Sequence, residues 1–256
     1  TRYGYDPPAL RAALRLKLFP PRLESQTVQS WTVTVNGTPV EPLYRNGLGE
    51  SESIWTAQAP LGAIEILAEG VVETRDAAGV ARGLVDHTRP GMYLRETALT
   101  QPDAAIAALA QGARAPNALE GMHKLCAAVR EAVDYTPAAT QHATTAAQAL
   151  AQGAGVCQDH AHVFIAAART IGIPARYVAG YIAAGFDGAH ETHAWAEAYV
   201  PDLGWVGFDP SNRQCPTDAY IRLCAGFDAA DAAPVRGAVS MGGDEALDVA
   251  VEVAQQ

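Results

Sequence analysis

The chain has 256 residues, 49% of them hydrophobic and 18% charged, which is the make-up of a folded protein and excludes a wholly disordered one. Its formal net charge of -10 repels phosphate backbones and anionic lipid, so neither nucleic acid nor a membrane is an expected partner. No apolar run approaches the roughly 18 residues needed to span a bilayer. Cysteines 126, 157, 215 and 224 contain no C-x-x-C pair and do not make a disulfide scaffold, so a reduced, cytoplasmic setting is the expectation. The chain opens on Thr1 rather than Met, which leaves a cleaved leader open.

Residues 1–95 read as all-β. Partial alternation of apolar and polar residues runs through Leu10 to Leu18, Thr27 to Val35 and Ala63 to Val72. Pro20-Pro21, Asn36-Gly37 and the stretch Asp76 to Gly79 supply turns between them. Short strands punctuated in this way predict a small sandwich. From about residue 96 to 256 the character changes. Pro102 to Ala110 and Pro116 to Asp134 are Ala-rich with helical spacing, and Leu119, Met122, Leu125, Cys126, Val129 and Val133 fall on one stripe. Thr145 and Gln148 form a capping-box pattern for a short helix ended by Gly153. A longer helix follows Gly155, and Gly172 and Pro174 stop it. The remainder reads as β, with Leu247, Val249, Val251 and Val253 on one face of a last strand.

Residues 153–218 carry the chemistry. Cys157 falls at the start of the long helix after a small Gly-rich turn. The unpaired N–H groups and positive dipole end there favour a thiolate, and the same N–H groups, Gln158's among them, can face an oxyanion. A strand from Ala175 to Ile182 and a loop from Ala183 to Glu191 lead to a strand from Thr192 to Val200, with His193 near its start. The turn Pro201 to Gly204 then opens the strand Trp205 to Pro210, and antiparallel pairing brings His193 beside Asp209. A thiol on a helix, an imidazole on one strand and a carboxylate on the next meet the requirements of a Cys-His-Asp relay.

Four blocks in this order resemble the bacterial transglutaminase-like superfamily, related in fold to papain-like thiol proteases. They are Gly155-Val156-Cys157-Gln158-Asp159-His160-Ala161-His162, Gly172 through Tyr181, Thr192-His193-Ala194-Trp195-Ala196-Glu197, and Gly204-Trp205-Val206-Gly207-Phe208-Asp209-Pro210. The resemblance implies an α+β fold. An N-terminal β-sandwich (1–95) precedes a papain-like or transglutaminase-like core (96–256) of helices packed on an antiparallel sheet. It also implies Cys157 as nucleophile, His193 as general base and acid, and Asp209 as its orienter. No cofactor is implied.

Other readings stand beside this one. Cys157, His160, His162, His190 and His193 invite zinc, but no recognised ligand spacing occurs, so no metal is expected. Trp195, two residues after His193, is placed to wall the site or donate its indole N–H, but such a residue is more often a core aromatic. His162 and Asp159 read as structural, and Arg176 and Tyr177 as half-buried strand residues. Cys215 and Cys224 could pair only in an oxidising compartment. The leading function is hydrolysis of a peptide or isopeptide amide in a peptide or protein substrate. The alternatives are acyl transfer to an amine and a catalytically silent peptide-binding module. Nothing in the sequence speaks to oligomeric state.

Overall fold

The computed structural model describes residues 1–85, 88–183, 192–240 and 244–253. The first strands are β1 (Arg2–Ala9), β2 (Arg11–Leu16), β3 (Gln26–Val35), β4 (Thr38–Pro39), β5 (Tyr44–Arg45), β6 (Ser51–Ala57) and β7 (Leu61–Thr74). Alternation sets the layers. Along β2, Ala12, Leu14 and Leu16 are buried while Arg11 and Ala13 face outward. Val33 and Val35 of β3, with Ile64 and Ile66 of β7, complete the same apolar cluster from the other sheet. The stretches expected to be strands correspond to β2, β3 and β7. β1 and β6 escape a period-2 reading because β1 contains Pro7 and Pro8 and β6 buries the polar pair Glu52 and Ser53. Glu52 is paired at 3.5 Å with Lys17, itself fully buried.

Among the described residues a short 3-10 turn (Pro90–Leu94) and four α-helices follow, the α-helices each predicted from the sequence: α1 (Ala104–Gly112), α2 (Ala118–Ala132), α3 (Ala146–Gln152) and α4 (Cys157–Thr170). Asp103 and Asn117 cap α1 and α2 through their side chains. The Thr145/Gln148 capping box forms at α3, and Gly153 ends that helix at φ 67°, a left-handed conformation that suits glycine. Between them β8 (Asp134–Tyr135) pairs in parallel with β9 (Ala154–Gly155), tying the end of α2 to the turn before α4. The core sheet comprises β10 (Ala175–Ile182), β11 (Thr192–Val200), β12 (Gly204–Phe208) and β13 (Tyr220–Gly226), in the order β12-β11-β10-β13 with every neighbour antiparallel. Ala194, Ala196 and Ala198 of β11 share one cluster with the apolar residues of α4, and their small side chains let the helix lie close on the sheet.

The last two strands, β14 (Val235–Ser240) and β15 (Asp244–Asp248), return to the sandwich, β14 beside β2 and β15 beside β1. The sandwich sheets therefore read β15-β1-β7-β3-β4 and β14-β2-β6-β5, and residues from the range expected to stay with the core complete both. The expected last strand is shorter than its apolar alternation, ending at Asp248 with Leu247 and Val249 exposed. Among the described residues, no helix is long and apolar enough to cross a membrane.

Sandwich and core share buried material. Leu223 and Cys224 of β13 sit in the sandwich cluster. The side-chain amide of Gln26 behaves as an extra strand residue against β13: it donates to the carbonyl of Arg222 at 2.9 Å and accepts from the Arg222 N–H at 2.8 Å. Arg176, at 1% exposure, is not the half-buried residue expected, nor is Tyr177 at 5%. Glu197 binds Arg176 at 2.7 Å and Arg222 at 3.0 Å, and the Arg176 guanidinium lies 3.9 Å from the centre of the Trp205 ring. Burial opposes charge on Glu197, but the two arginines outweigh it and hold its carboxyl below the usual range. Replacing Gln26 by Ala strands a buried N–H and a buried carbonyl. Urea unfolding should then show a loss of about 1–3 kcal/mol.

Candidate active site

Cys157 is the first residue of α4 and is half-buried. The turn that presents it is built by Asp159, 1% exposed, whose Oδ2 accepts from the Val156 N–H at 2.8 Å and from the Thr140 hydroxyl at 2.5 Å. Gly155 is required beside this carboxylate, since an added Cβ would lie 2.7 Å from Asp159 Cβ. The N–H groups of Asp159 and His160 both go to the Val156 carbonyl. Those of Cys157 and Gln158, at the very tip, have no acceptor within the helix and are available to an oxyanion. The Gln158 side chain is turned away, donating to the His142 carbonyl at 3.3 Å.

His193 sits on β11 opposite Gly180 of β10. Its Nε2 donates to Oδ2 of Asp209 at 2.7 Å. The Cys157 thiol is near enough to act on the ring electrostatically. The structure thus brings together the three residues that the sequence singled out. Asp209, immediately after β12 and fully buried, accepts at the same oxygen from Asn212 Nδ2 at 2.7 Å and the Tyr220 hydroxyl at 2.8 Å. Burial disfavours charge on the His193 ring, but hydrogen bonds and attraction from Asp209 and Cys157 prevail and raise its pKa to about 10. Burial likewise opposes the Asp209 charge, yet His193, Tyr220 and Asn212 hold its carboxyl below the usual range.

Trp195 is 2% exposed. It lies alongside His193, ring centres 6.2 Å apart, and meets Tyr220 edge to face at 5.5 Å. Its place is behind the imidazole as an internal support, not on an open wall. Gly180 makes room for it: a Cβ there would come within 2.6 Å of the indole ring. Trp195 and Tyr220 also line a cavity of about 50 Å³ at the seam with the sandwich. His162 is buried and its Nε2 accepts from the Ala229 N–H at 3.1 Å; burial lowers its pKa to about 4, so it is a neutral core group. His160 is also buried, its ring nitrogens 2.9 Å from the Val156 carbonyl and 2.8 Å from that of Val133. Among the described residues, no group of three His, Cys, Asp or Glu side chains could hold a metal ion. His190 and most of the loop from Ala183 to Glu191 lie outside the described residues. Asn212 and Tyr220 escaped the sequence reading. Asn212 follows Asp209 at turn spacing, a readable signal, whereas Tyr220 is brought in by β13 alone.

The Transglutaminase-like superfamily matches residues 105–210, and the Bacterial transglutaminase-like N-terminal region matches residues 1–73. An uncharacterized protein of Mycobacterium leprae is 31% identical over 272 residues, covering 99% of this chain and 95% of its own. A protein-glutamine gamma-glutamyltransferase of Pseudomonas aeruginosa is 34% identical over 70 residues, 24% of this chain and 10% of that protein. A solved structure from Cytophaga hutchinsonii, described as a "Putative Cysteine Protease", superposes with a TM-score of 0.71 at 22% identity, covering 99% of this chain and 91% of that one.

The pair's contribution to stability has a defined pH window. His193, raised from 6.5, contributes fully below 6.5 and loses its contribution as pH rises toward about 10. Asp209, lowered from 3.8, contributes above 3.8 and loses its contribution as pH falls through its folded value. Asp209→Asn removes the charge that raises His193 and leaves the burial that lowers it. Histidine NMR should then show the ring deprotonating at lower pH than in the native protein.

Proposed function

As the chain belongs to the bacterial transglutaminase-like superfamily, we propose that it is a thiol enzyme that opens peptide or isopeptide amides through an acyl-enzyme on Cys157. The single observation that carries this is the His193 ring, bonded to Asp209 at 2.7 Å, with the Cys157 thiol near enough to act on the same ring electrostatically. Proton transfer from the thiol to the ring gives a thiolate at the helix tip. The thiolate attacks the amide carbonyl, and the oxyanion that forms is received by the N–H groups of Cys157 and Gln158. His193 gives its proton to the departing amine as the C–N bond breaks, leaving a thioester. Water then loses a proton to His193 and adds to the thioester, the acid departs, and the thiol is restored. Asp209 steadies the imidazolium throughout. The substrate is a peptide or protein amide and the chemistry needs no cofactor. Four free thiols suit a reducing, cytoplasmic setting.

A second reading shares the thioester and differs in the acceptor, an amine in place of water. The segment similar to a protein-glutamine gamma-glutamyltransferase favours it. One experiment addresses both. Incubation with a panel of peptide amides, followed by intact-mass measurement, should reveal an adduct at Cys157, and added primary amine reports which acceptor takes the acyl group. Cys157→Ala should lower turnover about 10⁴-fold or more. Full activity in that variant would sink the proposal.

A further inference from the structure

We propose that Tyr220 and Asn212 are positioning residues of the thiol centre, sharing one oxygen of Asp209 with His193 so as to fix the carboxylate and keep the imidazolium a competent proton donor. The inference rests on the reading of Cys157, His193 and Asp209 as a working triad.

Three donors converge on Asp209 Oδ2: His193 Nε2 at 2.7 Å, Asn212 Nδ2 at 2.7 Å and the Tyr220 hydroxyl at 2.8 Å. Asn212 adds its backbone N–H to Oδ1 at 3.3 Å, so both carboxylate oxygens are held and rotation of the group is blocked. The two side chains also touch each other, Asn212 Nδ2 lying 3.3 Å from the Tyr220 oxygen, and Gln214 donates to that oxygen at 3.0 Å. Burial foremost, and then the charge of Asp209, keep the phenol protonated and therefore a donor. The Tyr220 ring meets the His193 ring edge to face at 5.9 Å, so the same side chain bounds the imidazole sterically.

The electrostatic sign follows from where the donor hydrogens lie. Each places a partial positive charge beside the imidazolium, and Asn212 Nδ2 is 3.4 Å from His193 Nε2. Each also draws charge from the oxygen that binds the ring. Both effects weaken the hold on the imidazolium's proton. The titratable groups facing the ring are Asp209 beyond β12, the Cys157 thiol on α4 and the Tyr220 phenol on β13; β10 offers Gly180 at the paired position. A ring held by a carboxylate that it did not share would be a poor acid toward a departing amine.

The test compares native protein with Tyr220→Phe and Asn212→Ala, two variants on separate elements, each first checked for native unfolding behaviour. Histidine-selective NMR should show the His193 midpoint moving upward in both, by about half a pH unit, or about threefold in proton affinity. Turnover of an amide should fall about tenfold with KM little changed. A p-nitrophenyl ester, whose phenolate leaves without a proton, should be much less affected. A midpoint that stays or falls in a folded variant, or equal losses on ester and amide, would overturn the assignment for that residue. The NMR arm needs no substrate, so a missing adduct at Cys157 would count against the enzymatic reading and leave this result to stand or fall separately.

Discussion

From Asp159 to Arg169 the helix α4 is buried without interruption, packed on the alanine face of β11 and flanked by α1, α2 and α3. Ahead of that buried run only Cys157 and Gln158, the first two residues of the helix, are partly open. Orphan N–H groups and positive dipole are properties of any helix start. Here the burial of everything behind the start fixes where they point. The seating of α4 on β11 also sets the reach between the thiol and the ring of His193, which the same strand carries. A bulkier residue at 194, 196 or 198 would lift the helix and part the two, without touching either functional group.

Buried charge keeps that geometry rigid. Arg169, near the end of α4, donates to the carbonyls of Tyr93, Ala175 and Phe227 and to the Thr100 hydroxyl, joining four segments at one guanidinium. Glu197 performs a similar office inside the sheet, reaching Arg176 and Arg222, and Arg222 continues to Glu50 of the sandwich at 3.3 Å. Ion pairs of this kind return little net stability against apolar replacements, because desolvation cancels most of the attraction. Their geometry is what matters here. The planar, bidentate-capable guanidinium accepts few arrangements, so strand register and the seat of the sandwich on β13 are both narrowly specified.

Much of the core was legible because its signals are local. The capping box at Thr145, the left-handed Gly153 and the stripe through Met122, Leu125 and Val129 each act within a few residues. β10 and β11 could be delimited as found, and the short turn before β12 was enough to bring His193 to Asp209. What escaped depends on distant partners. Glu52 reads as a surface residue until Lys17 is placed beside it, and Tyr220 has no local feature that directs it to a carboxylate 11 positions earlier. Arg176 was misjudged for the same reason, since only the folded sheet supplies Glu197 and the Trp205 ring. The helix-side chemistry announces itself in sequence, whereas the polar scaffold behind it is assembled by strand pairing.

Strands β14 and β15 complete sheets begun by the first residues of the chain. On the ribosome, β1 and β2 emerge more than 200 residues before their outer neighbours. At roughly 5–20 residues per second that interval lasts about 10–40 seconds. For that time, β1 and β2 each present an unpaired backbone edge, the surface through which nascent chains join one another. The sheet β12-β11-β10-β13, by contrast, is whole once Gly226 has been added. Synthesis therefore completes the sheet that carries His193 before the sandwich, and leaves the opening strands unguarded until β14 and β15 arrive.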